Sequence, residues 1–227
     1  MQPTQKAARL ISSVGHCIGK ETMAVHYTNR IGKMYYLREG KTKTGKPRFF
    51  FSAQQHGKGE VVDRIPDGYE IYEHPENAQV FLRKIRPQVI TDLEKLLVNK
   101  AVKALKRSKR YLIDCKDENI TIYESSADVG ELKNIFSDFL KHTPLRAGMT
   151  ADDAMNALVN AANQNYTAML RFRLVDKERR KFTAERFCFR GAIDDWINIC
   201  SPENLKTLVE RYIELLGTDS FFDTPFL

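Results

Sequence analysis

Four polar residues, Lys116-Asp117-Glu118-Asn119, separate two runs of strand-forming residues, Tyr111–Cys115 and Ile120–Glu124. A connection that short can only join antiparallel neighbours, because a parallel pair needs a crossover of about a dozen residues or more. The arrangement recurs along the chain. Tyr166–Asp176 and Lys181–Phe189 flank a polar turn holding Glu178, Arg179 and Arg180. Tyr69–Glu73 and Gln79–Lys84 flank His74-Pro75-Glu76-Asn77, while Met34–Leu37 and Phe49–Phe51 flank a segment with Thr44-Gly45-Lys46 at its tip. Val61 and Val62 open a short strand that ends at the turn signal Pro66-Asp67-Gly68.

Between these hairpins the apolar period changes from two to about 3.6, the mark of amphipathic helices. Pro87 precedes one, with Ile90, Leu93, Leu97, Ala101 and Ala104 as its expected buried stripe and a basic opposite face. Asp128–His142 is a second, and Thr150 is placed to cap a third, with Asp152 and Asp153 near its positive end. The last is bounded by Ser201-Pro202 and Gly217 and carries Leu205, Leu208, Val209, Tyr212, Ile213 and Leu216 on one face. The fold class expected is α+β. An arm over 1–32 leads into an antiparallel meander packed on a basic helix over 33–110. A second hairpin-and-helix unit covers 111–227.

Composition narrows the class of partner. Of 36 Lys+Arg and 29 Asp+Glu, residues 1–110 hold 22 and 10, and residues 111–227 hold 14 and 19. A localised positive field attracts polyanions and speeds encounter with them. Two clusters supply most of it: Lys41, Lys43, Lys46 and Arg48 on the expected hairpin, and Lys103, Lys106, Arg107, Lys109 and Arg110 on the expected helix. Tyr35, Tyr36 and Phe49–Phe51 border the first, and single-strand binders combine cations with aromatic platforms in this way. Alternation sets Phe50 on the face opposite Phe49 and Phe51. The reading that follows is a non-catalytic nucleic-acid-binding or accessory protein that grips phosphate through both clusters. The aromatic tail (Phe221, Phe222, Pro225, Phe226, Leu227) either folds back or docks on a protein partner. With no apolar run near 20 residues and no signal-peptide order at the start, a cytoplasmic protein without membrane contact is expected.

Catalytic signatures are weak. Gly15–Thr22 has three residues between its glycines where a phosphate loop has four, and Glu21 stands where that loop needs a hydroxyl. Cys17, Cys115, Cys188 and Cys200 form no pair at zinc-ligand spacing, and the five histidines are scattered, so neither a resident metal nor another cofactor is expected. Asp63, Asp67 and Glu70 are close enough in sequence to hold Mg²⁺, which makes a metal-dependent phosphodiesterase or nuclease the alternative. Arg171, Arg173, Glu185, Arg186, Arg190 and Asp194 are a candidate polar pocket. Asp194-Asp195 are read as the start of a helix that sends Trp196 into the core.

The strings GYEIYEHPENAQVFLRK (68–84) and FRGAIDDWI (189–197) resemble stretches of uncharacterised bacterial proteins. The resemblance implies a bacterial cytoplasmic origin and transfers no activity, ligand or site residue.

Overall fold

The structure is a computed structural model that describes residues 24–54, 56–125, 129–142, 148–162, 165–190 and 193–223. Most of the expected arm, including 15–22, lies outside the described residues. The α+β class holds: the described residues form antiparallel sheets and four α-helices.

The first sheet is built on β2 (Met34–Lys41). Along one edge of β2 runs β3 (Pro47–Ser52); along the other lie β1 (His26–Thr28) and, beyond it, β4 (Glu60–Val61). Val25, Leu37 and Val62 lock this edge through three backbone hydrogen bonds of 2.9–3.1 Å, and Leu37 is fully buried there. β5 (Tyr69–Glu73) and β6 (Val80–Lys84) pair only with each other among the described residues, so the meander expected over 33–86 is split into the first sheet and a separate two-stranded hairpin. The chain between β3 and β5 causes the split, because β4 crosses back to the far edge of β2.

The second sheet has the order β11-β10-β9-β8-β7: β7 (Tyr111–Lys116), β8 (Asn119–Ser125), β9 (Tyr166–Asp176), β10 (Lys181–Arg190) and β11 (Ile193–Asn198). β12 (Glu203–Asn204) shares with β11 the outer edge of β10. Leu170, Phe172 and Leu174 of β9 are buried on one face while Arg171 and Arg173 take the other, as alternation requires. Between β8 and β9 the chain forms α2 (Val129–His142) and α3 (Ala151–Ala162), which pack on each other. Thr150 caps α3 as expected, its hydroxyl accepting from Asp153 N at 3.1 Å.

The apolar face of this sheet is covered by α1 (Asp92–Ala104) and α4 (Leu205–Tyr212). Ile90, Val98 and Val102 join Ile120, Ile122, Leu170, Phe172, Phe182 and Leu208 in one core, each large side chain contributing about 1.5–3 kcal/mol. Here the expectation fails in one respect: α1 packs on the second sheet, and the boundary drawn at 110 cuts through this core. Its buried side is Val98 and Val102 with Leu97, Ala101 and Leu105, whereas Leu93 is 79% exposed. α1 is anchored at its start by a capping box between Thr91 and Glu94, and Arg180 of the β9–β10 turn bonds both Glu94 and the Val89 carbonyl.

Two more expectations at the C-terminal end are corrected. α4 starts at Leu205 under an Asn204 cap, since Glu203 and Asn204 are drawn into β12. Asp194 and Asp195 lie in strand β11 and are exposed. Trp196 is half-buried on the polar face, edge-on to Phe187. In the tail, Phe221 is fully buried and its carbonyl accepts from Arg186 at 2.8 Å, so the chain folds back at least this far. Pro225, Phe226 and Leu227 lie outside the described residues. No described helix is long and apolar enough to cross a membrane.

Candidate functional site

The β2–β3 turn is held by its own side chains. Thr42 Oγ1 accepts from Lys46 N at 3.1 Å, Thr42 N donates to Lys46 O at 2.8 Å, and Gly45 N donates to Thr42 O at 2.9 Å. Gly45 supplies the left-handed backbone (φ +79°) that closes the turn. From this frame Lys41, Lys43, Lys46 and Arg48 all project into solvent, and none makes an ion pair among the described residues. Pairing of Gly40 with Arg48 and of Arg38 with Phe50 puts both arginines and Phe50 on one face. The Phe50 ring lies over two glycines: a Cβ on Gly40 or Gly59 would come within 3.2–3.3 Å of it. Arg38 is buried and donates to the carbonyls of Gly57 and Gly59 at 3.2 and 2.7 Å, tying the following loop to the same face. A half-buried aromatic beside free cations results.

The second cluster is looser than expected. α1 ends at Ala104, and Ser108–Arg110 form a separate 3-10 turn. Lys103, Lys106, Arg107 and Lys109 are exposed, but Arg110 is half-buried and pairs with Glu124 at 3.0 Å, so it serves the fold. The hairpin belongs to the first sheet and this segment packs on the second.

Neither chemical alternative is assembled. Asp63 and Asp67 are exposed in the β4–β5 connection, while Glu70 accepts from Arg83 Nε at 2.7 Å. Among the described residues no group of three or more His, Cys, Asp or Glu is placed to hold a metal ion. The polar pocket is split by strand alternation. Arg171, Arg173 and Glu185 meet on the open face, Glu185 bonding Arg171 and lying 3.4 Å from Arg173 Nη1. The Arg171 guanidinium sits 4.2 Å from the centre of the Trp196 ring. Arg186 points to the opposite face, Asp194 is exposed at a shallow hollow with Glu76 and Phe187, and the side chain of Arg190 lies outside the described residues. Glu185 compensates one of the two arginines, and the cluster ties β9 to β10.

No protein-family model, curated protein or solved structure matches this chain. Function is therefore read from the geometry alone.

Sequence reasoning missed the residues that join the sheets. Glu73 accepts from Tyr27 Oη at 3.0 Å and from Arg30 Nη1 at 2.8 Å, and Arg30 also bonds the His74 carbonyl and lies over the Tyr166 ring. Tyr72 Oη donates to Asp114 Oδ2 at 2.9 Å. Burial, reinforced by these carboxylates, pushes the Tyr27 phenol up to about 12 and raises that of Tyr72 as well. Partners more than 40 residues apart leave no local pattern; only the density of Tyr, Arg and Glu in 69–83 could have hinted at them.

Proposed function

We propose that the protein binds nucleic acid without catalysing a reaction on it, holding the phosphate backbone on the β2–β3 hairpin. The observation that carries this reading is the set of four solvent-facing cations on a turn locked by Thr42 and Gly45, unpaired among the described residues. A turn whose backbone is already closed spares the backbone part of the ordering cost on meeting phosphates, and each contact releases condensed counterions. Phe50, on the face of Arg48 and backed by two glycines, adds a surface on which a base can stack. Lys103, Lys106 and Lys109 offer a second, exposed set of phosphate contacts.

The test is fluorescence anisotropy with labelled single-stranded and duplex DNA and RNA at about 50 mM salt, where the electrostatic contribution is strong. Wild type is expected to bind, and Lys43→Glu/Lys46→Glu to lose at least about tenfold, or about 1.4 kcal/mol. These side chains touch nothing that holds the fold, so far-UV dichroism should be unchanged. Undetectable binding by wild type, or equal binding by the variant, overturns the reading.

A further inference from the structure

Helix α1 turns Val98 and Val102 toward the second sheet. On the opposite side Leu93, Leu96, Lys100 and Lys103 fall within about 80° of its circumference, in a stripe about 15 Å long. Leu93 is 79% and Leu96 63% exposed, the two most exposed large apolar side chains among the described residues. Single apolar residues on a surface are ordinary, but these two stand on adjacent positions of one stripe that continues as lysine. They line neither the cleft of about 550 Å³ beside the start of α1 nor the hollow at Asp194, so they sit on a ridge without a groove.

The charge on this face is of one sign. Lys100 and Lys103 are exposed, Lys106 and Lys109 follow in the connection to β7, and none of the four has an ion pair among the described residues. The two carboxylates at the start of the helix are occupied: Asp92 lies 3.6 Å from Lys95, and Glu94 is held by Arg180. α4, which packs beside α1, exposes Lys206, Glu210, Arg211 and Glu214, whose charges cancel.

These features choose between occupants. A nucleic acid would satisfy the lysines and leave both leucines wet. A second copy would bring one lysine stripe against another. A protein helix seats its anchors in a groove, and the ridge has none. An anionic bilayer supplies headgroup charge for the lysines and, for the leucines, a fluid boundary that needs no matching groove. We infer that the outer face of α1 docks on an anionic phospholipid surface, with Leu93 and Leu96 entering the boundary between headgroups and acyl chains and Lys100 and Lys103 on the headgroups. The thirteen residues of α1 span about 20 Å, against about 30 Å of bilayer core, so the contact is with the surface and leaves no long apolar run in the sequence. The lysines of this segment also serve the nucleic-acid reading; the leucines belong to the lipid contact alone.

Co-sedimentation of the full chain with phosphatidylcholine vesicles, with and without about 30% phosphatidylserine, tests it at about 100 mM salt, beside anisotropy with a labelled single strand. Wild type is expected to bind the phosphatidylserine vesicles and to bind pure phosphatidylcholine at least about tenfold more weakly. Lys100→Glu/Lys103→Glu should weaken binding by at least about 25-fold, or about fivefold for each charge at the surface. Leu93→Ser/Leu96→Ser should weaken it by at least about tenfold, while far-UV dichroism and oligonucleotide binding stay as in wild type, because both side chains stand in solvent. Absence of binding to phosphatidylserine vesicles, or equal binding to both kinds, overturns the inference. So does a leucine variant that binds phosphatidylserine vesicles as wild type does, since only charge attraction would then remain. A dimer in light scattering that Leu93→Ser/Leu96→Ser dissolves overturns it as well, by making the stripe an interface between copies. Vesicle binding without oligonucleotide binding keeps this inference and removes the hairpin reading; oligonucleotide binding without vesicle binding does the reverse.

Discussion

Replacing Glu185 by Leu tests whether the arginine cluster is a structural element. The Glu185 side chain is only 8% exposed and is shared between Arg171, 19% exposed, and Arg173, 52% exposed. The Arg173 contact is long and wet, and contributes at most about 1 kcal/mol. Arg171 is different. It is pinned under Trp196, and without Glu185 its charge stays desolvated and uncompensated, at a cost of about 3–5 kcal/mol. For a chain of this length each kcal/mol moves Tm by about 2–4 °C, so Glu185→Leu should lower it by about 6–20 °C. The double variant Arg171→Met/Glu185→Leu removes both charges and should recover to within about 2 kcal/mol of wild type, because no ion remains buried alone. Urea unfolding of the two singles and the double gives the coupling directly. If Glu185→Leu costs under about 1 kcal/mol, or the double is no better than the single, the structural assignment fails.

Gly217 follows the 3-10 turn Ile213–Leu215 that extends α4 and has φ +76°, and a Cβ there would sit 2.8 Å from Tyr111 Oη; Gly217→Ala should destabilise by more than about 1 kcal/mol in urea, well beyond Gly45→Ala, whose site is strained but open. Burial would raise the Glu94 carboxyl, but hydrogen bonds from Arg180 and Thr91 outweigh it and hold the carboxyl below its usual value. A depressed carboxylate stabilises above its unfolded pKa and loses that as pH falls through the folded one, so the stability gap between wild type and Arg180→Gln should be full above about pH 5 and close below about pH 4. A gap that widens in acid contradicts this. With its thiol at about 11, Cys115 should react with iodoacetamide at pH 8 about a hundredfold more slowly than a free thiol, followed site by site by mass spectrometry. A rate near that of an exposed cysteine would be inconsistent with its burial.

What could be read in advance was local. The hairpins of 111–124 and 166–189 were legible because short polar turns and two-residue alternation are written in adjacent positions, and the opposed faces of Leu170 and Arg171 followed. α1 shows where this stops. Leu93 and Leu97 make as good a stripe as Leu97, Val98 and Val102, and only the sheet it docks on chooses between them. Ile193–Asn198 reads as a helix start because Asp194-Asp195 suit one, yet the unpaired edge of β10 recruits it as a strand. The basic hairpin was visible as composition, but the locked turn and the glycines under Phe50 needed coordinates. The cleft of about 550 Å³ between the β5–β6 hairpin, the segment leading into α1 and the β7–β8 turn was invisible, since its lining comes from strands of different sheets.

The most direct test of the polyanion account is the slope of log association constant against log salt for a labelled oligonucleotide. Four hairpin contacts predict a slope of about −3.6 on duplex or −2.8 on a single strand, and Lys43→Gln/Lys46→Gln should flatten it by about 1.4–1.8. A wild-type slope near zero, or one that the double substitution leaves unchanged, would contradict the account.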